Sequence, residues 1–313
     1  MADIVFSGVN FSGGFAITAP PPPPSSKAIF GYGYITSITN LVSNTGVVAT
    51  DTAGVGTARG ELAAAGYGTD KAIFGYGFAY AWVNNTNRVS NTGVVATDGQ
   101  SAGTGRNILA AAGYGTDKAI FGFGFYYNSG EGSITTNVTN LVSNTGVVAT
   151  NTAGVGTARH SLAATGYGTD KAIFGYGSGG GTTNLVSNTG VVATNVTRVG
   201  TDRVFLAAAV YGTDKAIFGY GTGAALYSMT NLVSNTGVIS TDTTGVGTAR
   251  YGLAAAGYGV DTAIFGYGNT DRINETLPVS MTNLVSNTGV VATDTAGVGT
   301  ARFKLAAASY GYA

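Results

Sequence analysis

Lys27-Ala28-Ile29-Phe30-Gly31-Tyr32-Gly33 opens a passage that the chain repeats almost unchanged from Lys71, Lys118, Lys171 and Lys215, with a sixth copy from Thr262. Successive starts lie 44, 47, 53, 44 and 47 residues apart. After each copy comes an Asn-Thr-Gly turn, at Asn44, Asn91, Asn144, Asn188, Asn235 and Asn287. An arginine follows, at Arg59, Arg106, Arg159, Arg203, Arg250 and Arg302, and then an alanine-rich run from Leu62, Leu109, Leu162, Leu206, Leu253 and Leu305. Self-similarity at a fixed period of this length marks a repeat architecture.

Every element of the unit reads as β. The runs are short, rich in Val, Ile, Phe, Tyr and Thr, and bounded by Gly, Asn and Asp. Four such runs per unit predict an all-β, six-bladed β-propeller over residues 27–313, with four antiparallel strands per blade. A β-helix is the competing architecture, but its coils are usually shorter and need no four distinct strands. Crowding near the axis favours small side chains, so the Leu-Ala-Ala-Ala-Gly runs belong innermost. The Val-rich segments (Val47-Val48-Ala49-Thr50 in the first unit) belong outside. Each Phe and Tyr of the glycine-flanked strand is expected to fill the wedge between blades, burying roughly 150–250 Å². The first unit begins without an inner strand and the chain ends on one, so residues 305–313 are expected to complete the blade that begins at Lys27.

The arginine, small-residue strand, tight turn and glycine-ended apolar strand resemble the order of the kelch repeat. Arg59, then Leu62-Ala63-Ala64-Ala65-Gly66-Tyr67-Gly68, then Thr69-Asp70, then Ala72-Ile73-Phe74-Gly75-Tyr76-Gly77 carry that resemblance, which spans residues 27–313. It implies a kelch-type propeller, with two departures. Gly-Tyr-Gly stands where kelch repeats have paired glycines, and the usual outer-strand Trp is missing.

Composition excludes several function classes. Of 313 residues, 15 are Lys or Arg and 15 are Asp or Glu, so no polycationic face exists to track a nucleic acid. No Cys occurs, which removes thiolate and disulfide chemistry. No apolar run approaches the roughly 18 residues of a membrane helix, so membrane insertion is not expected. The N-terminus lacks the basic and apolar regions of a secretion signal.

The six copies differ in two places. From the last Gly of each glycine strand to the Asn of its turn the offsets are 11, 14, 20, 11, 14 and 19 residues, as though a three-blade unit had been duplicated. The other place is the pair after each arginine: Gly60-Glu61, Asn107-Ile108, His160-Ser161, Val204-Phe205, Tyr251-Gly252 and Phe303-Lys304. In antiparallel blades both places emerge on one face. Loops on a rigid scaffold commonly carry recognition, which makes this the candidate ligand-binding face. Its candidate residues are Tyr34, Phe78, Tyr80, Trp82, Phe125, Tyr126, Tyr127, Tyr227, Arg272, Asn274 and Glu275 from the loops. Asn107, His160, Phe205, Tyr251 and Phe303 join them from the pairs. Aromatic rings beside Asn and Glu suit carbohydrate or protein surfaces. The competing reading is that these rings pack onto the scaffold or a neighbouring subunit.

No catalytic or metal-binding set and no cofactor are expected. Copper-oxidase chemistry on a propeller needs a Cys-linked Tyr and several His, and the chain has no Cys and one His. A sialidase-like reading of the arginines is countered by their identical settings in every unit, which point to repeated structure. The same holds for Asp51, Asp98, Asn151, Asn195, Asp242 and Asp294, although an axial divalent ion stays open. Gly-x-Gly recurs with no helix after it, so the phosphate-binding reading fails its context.

Residues 1–19 match no repeat and read as an attachment arm. Residues 20–26, with five consecutive prolines, read as a stiff spacer of about 3.1 Å per residue. The Lys-Ala-Ile-Phe-Gly-Tyr-Gly and Thr-Asn-Leu-Val-Ser-Asn-Thr-Gly-Val-Val-Ala-Thr blocks resemble repeats of tailed-bacteriophage structural proteins. That resemblance implies a virion component such as a fibre tip, tail appendage or decoration, made in the host cytoplasm and oligomeric in the assembly. Residues 1–19 would dock on other virion subunits, and the propeller would meet a host-surface receptor or glycan. A purely structural decoration protein and a kelch-type protein-interaction scaffold are the alternatives.

Overall fold

A computed structural model describes residues 26–179, 181–197 and 199–311. The attachment arm over 1–19, the spacer up to residue 25 and the last two residues fall outside them.

The described residues are all β, in short antiparallel strands. Sheet 1 joins Lys27–Gly31 and Thr39–Val42 to Ala306–Tyr310; sheet 2 holds Ala63–Tyr67, Lys71–Gly75, Asn85–Val89 and Gly99–Gln100. Sheet 3 holds Ala110–Tyr114, Lys118–Gly122 and Thr139–Val142; sheet 4 holds Ala163–Tyr167, Lys171–Gly175, Thr182–Val186 and Val196–Thr197. Sheet 5 holds Ala207–Tyr211, Lys215–Gly219 and Thr230–Val233; sheet 6 holds Ala254–Tyr258, Thr262–Gly266 and Thr282–Val285. A separate hairpin, Phe125–Asn128 with Gly132–Thr135, fills the longest loop.

The expected fourth strand is formed over two residues in sheets 2 and 4. Elsewhere single bridges such as Val42↔Val48 and Thr39↔Thr52 replace it. In every sheet the outer segment is also tied to the neighbouring unit, as where Asp51 receives the Thr300 amide. The C-terminal strand pairs with the first one, Lys27 opposite Tyr310 through Gly31 opposite Ala306.

Each alanine-rich strand lies beside those of the sheets before and after it, and Ala306–Tyr310 lies beside both Ala254–Tyr258 and Ala63–Tyr67. Small side chains permit this approach. The neighbouring glycine strands interlock through rings: the Phe of each enters a slot made by the Gly and Tyr of the sheet before. Phe121 packs edge-on to Tyr76 with ring centres 5.1 Å apart, and a methyl group on Gly75 would lie 2.7 Å from its ring. Phe30 meets Tyr267 and Gly266 in the same way, joining sheet 6 to sheet 1. Those rings are fully buried.

The arginines tie the sheets a second time. Arg59 donates from Nε to the Tyr76 carbonyl at 2.7 Å, from Nη2 to Asn87 Oδ1 at 2.7 Å and from Nη1 to the Thr57 carbonyl at 3.0 Å. Its guanidinium lies 4.4 Å from the centre of the Tyr32 ring in the preceding sheet. Arg302 repeats the arrangement on Tyr32, Asn40 and Thr300, stacked over Tyr267. All six arginines are at most 3% exposed. A buried cation is tolerable only when its donors are met: carbonyl and amide oxygens and an aromatic face meet those of Arg59 and Arg302, and Asp98, Asp242 and Asp294 stand 3.7–3.9 Å from Nη1 of Arg59, Arg203 and Arg250. Burial lowers the pKa of Arg59, Arg106, Arg250 and Arg302, and that of Arg159 falls to about 10.

Gly-Tyr-Gly now has a physical reason. Tyr76 sits at φ 63° and Gly77 at φ 110°, which turns the Tyr76 carbonyl onto Arg59. A Cβ on Gly77 would stand 2.7 Å from the Gly60 carbonyl, so only glycine fits there.

Asn87 is the hub, donating from Nδ2 to the Ala96 carbonyl and to Asp98 Oδ1. Asp98 also accepts from the Thr57 amide and hydroxyl. Asn151 and Asn195 fill the same place in sheets 3 and 4 and accept the Thr104 and Thr157 amides.

Two predictions follow from these contacts. Gly75→Ala forces the Phe121 ring to move and should cost about 1–3 kcal/mol in a denaturant melt. Gly130→Ala, where the nearest atom is 3.8 Å away, should cost nothing measurable. The second concerns acid. Burial raises the pKa values of Asp51, Asp98, Asp242 and Asp294, but the Thr and Asn hydrogen bonds outweigh it and leave each below 3.8. A lowered folded-state pKa contributes stability above the unfolded value near 4 that is lost as pH falls through the folded one. The Tm of the parent should therefore drop below pH 4. Replacing all four by Asn, the residue already present at 151 and 195, should flatten that drop. Parallel Tm–pH curves would refute the assignment.

Candidate functional site

The two variable places meet at every junction between sheets. Gly60 bridges Phe78, Asn107 bridges Phe125, Val204 bridges Thr222 and Tyr251 bridges Asn269. The Ser178 amide reaches the His160 carbonyl, and the Tyr34 amide reaches the Phe303 carbonyl.

The second member of each pair holds the next. The Glu61 amide donates to the Lys304 carbonyl, Ile108 to Glu61, Ser161 to Ile108, Phe205 to Ser161, Gly252 to Phe205 and Lys304 to Gly252, at 2.7–2.9 Å. All six residues have φ between 45° and 63°. At the opposite end the turn glycines do the same: Gly68, Gly115, Gly168 and Gly212 donate to the carbonyls of Asp117, Asp170, Asp214 and Asp261. Gly259 donates to Ser26 and Gly311 to Asp70. Each bond is 2.7 Å long.

The variable side chains gather into two aromatic groups. Trp82 stands among Phe78, Phe125 and Tyr127, stacked on Tyr127 with ring centres 6.0 Å apart. Its Nε1 donates to Asn107 Oδ1, and His160 lies edge-on to Phe125. The second group runs Tyr34, Phe303, Tyr251, Phe205, with Tyr34 stacked on Phe303.

A charged cluster joins the groups. Lys304 lies 3.0 Å from both Glu61 and Glu275. Asn107 Nδ2 donates to the other Glu61 oxygen at 2.5 Å, and the Tyr251 hydroxyl donates to Glu275 at 3.1 Å. Burial and the Glu275 carboxylate raise the Tyr251 pKa strongly. Burial lowers the Lys304 pKa, but the two carboxylates outweigh it and the net shift is upward. Beside the cluster is a pit of about 80 Å³, lined by Glu61, Lys304, Phe205, Ser161, Ile108 and the pair-following leucines. A larger cavity of about 280 Å³ opens at the turn end, among Tyr67, Tyr114, Lys71, Lys118 and their repeats.

The candidates thus divide by depth. Asn107, Tyr251 and Phe303 are buried and support the surface from beneath. Trp82, Phe125, Tyr126, His160, Phe205, Tyr227 and Glu275 are half-buried. Tyr126 faces Ile134 across the inserted hairpin, and the Tyr227 amide donates to the Gly221 carbonyl. Tyr34, Phe78, Tyr80, Tyr127, Arg272 and Asn274 are exposed; Arg272 Nη1 donates to the Gly223 carbonyl and the Asn274 amide to Asp271.

Sequence reasoning missed Glu61 and Lys304, although both stand in the variable pairs, because ion-pair partners so far apart along the chain leave no local signal. It also missed Ile35, Ile273 and Leu277, which are exposed on the loops, Ile273 to 82%. An apolar residue at a polar loop tip was the available clue.

His160 Nδ1 lies 2.9 Å from Ser161 Oγ, and burial lowers its pKa, which keeps the imidazole neutral near pH 7. Among the described residues no group of three or more His, Cys, Asp or Glu could hold a metal ion. No protein-family model matches the chain, and no curated protein matches it.

Proposed function

We propose that the six sheets are the blades of one closed β-propeller, whose variable end is a non-enzymatic recognition surface. The observation that carries this reading is the pair of amide–carbonyl series, one at each end of the sheets, each returning to its first member. Pairing of Ala306–Tyr310 with Lys27–Gly31 supports it, since sheet 1 then draws strands from both ends of the repeat region. Closure removes the open edges that an unclosed row of sheets would expose.

Recognition is favoured over catalysis by how the polar groups are used. Glu61, Lys304, Glu275, Tyr251 and Asn107 are bonded to one another. The His160–Ser161 contact has no third group orienting the imidazole among the described hydrogen bonds, as nucleophilic catalysis would require. The order of arm, proline spacer and repeat head, with the text of the repeats, supports a virion component that assembles through residues 1–19. Its variable end would face a host-surface receptor or glycan.

Removal of residues 306–313 should leave Lys27–Gly31 without its inner partner and yield open or aggregated protein by size-exclusion chromatography. An unchanged melt would refute closure. For recognition, fluorescent full-length chain should bind host cells or a glycan array. A folded variant with the other five loops replaced by the Ser178–Thr183 loop should not. Failure of both folded proteins to bind would favour the decoration reading, in which the variable end meets other virion subunits.

A further inference from the structure

The exposed large apolar side chains of the variable loops are unevenly distributed. Ile273 and Leu277 project from sheet 6, Tyr34 and Ile35 from sheet 1, Phe78 and Tyr80 from sheet 2, and Tyr127 from sheet 3. These four sheets are consecutive, because sheet 6 adjoins sheet 1. The corresponding loops of sheets 4 and 5 carry Ser178 and Gly179, then Gly223, Ala224 and Ala225, with no exposed large apolar side chain among their described residues. The result is a horseshoe of apolar tips, open over sheets 4 and 5, around the pit beside Glu61 and Lys304.

Two tip residues hold strained backbone. Ile35 and Tyr80 stand at φ 55° and 60°, in the left-handed region that β-branched and bulky residues rarely adopt. Such strain persists where surrounding structure enforces it, and it clusters at ligand-binding sites. Exposed large apolar side chains gathered at one end of a scaffold mark an interaction surface.

We infer that this horseshoe docks an extended segment of a partner protein that places one Lys or Arg side chain at the pit. The inference rests on the recognition reading above and specifies its ligand. Aliphatic tips argue for a protein: Ile35, Ile273 and Leu277 gain from burying apolar side chains, whereas a sugar presents hydroxyl edges that they cannot satisfy. Charge argues for a basic residue. The Glu61 and Glu275 carboxylates share the single Lys304 ammonium, which leaves one negative charge over. In the loops between second and third strands and in the pairs, the acidic Glu61, Glu131, Asp271 and Glu275 outnumber the basic Arg272 and Lys304. The pit has room for one side-chain tip, and Phe205 lines its wall.

The test is to pan the full-length chain against a random dodecapeptide library, beside a glycan array and anionic and neutral lipid vesicles. Recovered peptides should carry Lys or Arg flanked by Leu, Ile, Phe or Tyr. Exchange of that basic residue for Gln should weaken binding about tenfold, more at low salt than at high. Glu275→Gln should remove the preference for the basic residue, and Tyr80→Ala with Ile273→Ala should weaken every peptide. Both tips are solvent-exposed, so these last variants should keep the parent Tm. Peptides without basic enrichment, or no recovered peptide, would overturn the inference. Binding of glycans or vesicles alone, lost on loop replacement, would overturn it while leaving the recognition reading intact. Silence from every probe and from host cells would remove both.

Discussion

The buried guanidinium between neighbouring sheets is the constraint on which the rest depends. Moving an arginine out of water is costly, and a cation left with unmet donors inside the protein would cost several kcal/mol. Arg59 is held by the Tyr76 carbonyl, by Asn87 and by the ring of Tyr32, which come from two different sheets. Each requirement propagates into sequence. The carbonyl must turn inward, so Tyr76 adopts a left-handed conformation and a glycine follows. The acceptor must be an amide that can also donate, so Asn stands at 40, 87, 140, 184, 231 and 283, all fully buried. Near-identity of the repeats is thus a packing requirement.

This scaffold separates the constant parts of the repeat from the variable ones. The arginine, its asparagine and the interlocked Phe rings fix the sheets through their middles, while the amide–carbonyl series fix both ends. The loops between second and third strands are tied to the pairs through backbone bonds, so their side chains are free to differ. At the variable end they have produced buried supports (Asn107, Tyr251, Phe303), a shared charge cluster and exposed tips. The turn end stays nearly constant, because Gly68 must approach the Asn144 carbonyl so closely that a Cβ there would lie 2.8 Å from it.

The loop lengths, which follow a short, medium, long order twice over, do not predict loop chemistry. The two short loops, in sheets 1 and 4, have equal offsets, yet one ends in Tyr34-Ile35 and the other in Ser178-Gly179. Loop length repeats with the units, whereas side-chain character does not. The horseshoe exists because apolar tips occur on consecutive sheets, a relation that wraps from the end of the chain to its beginning.

Much of the architecture was legible from residues 27–33 and their copies. Strand composition, the turn glycines and the fixed period gave the β elements, their antiparallel order and the meeting of the two variable places, because all of these are local or repeat with the chain. The repetition of Arg59 and Asp98 in identical settings likewise marked them as structural. What lay beyond reach were relations between distant residues. Nothing near Lys304 announces Glu61, and nothing near Trp82 shows that Asn107 receives its indole proton. Whether a loop aromatic stands out like Tyr80 or sinks like Tyr251 depends on the neighbouring sheet, not on its own segment. Local propensity and period therefore set the strands, turns and repeat, since each depends on residues a few positions apart. Tertiary packing alone decided burial, ion pairing and the shape of the variable end, because those energies arise only when distant segments exclude water from one another.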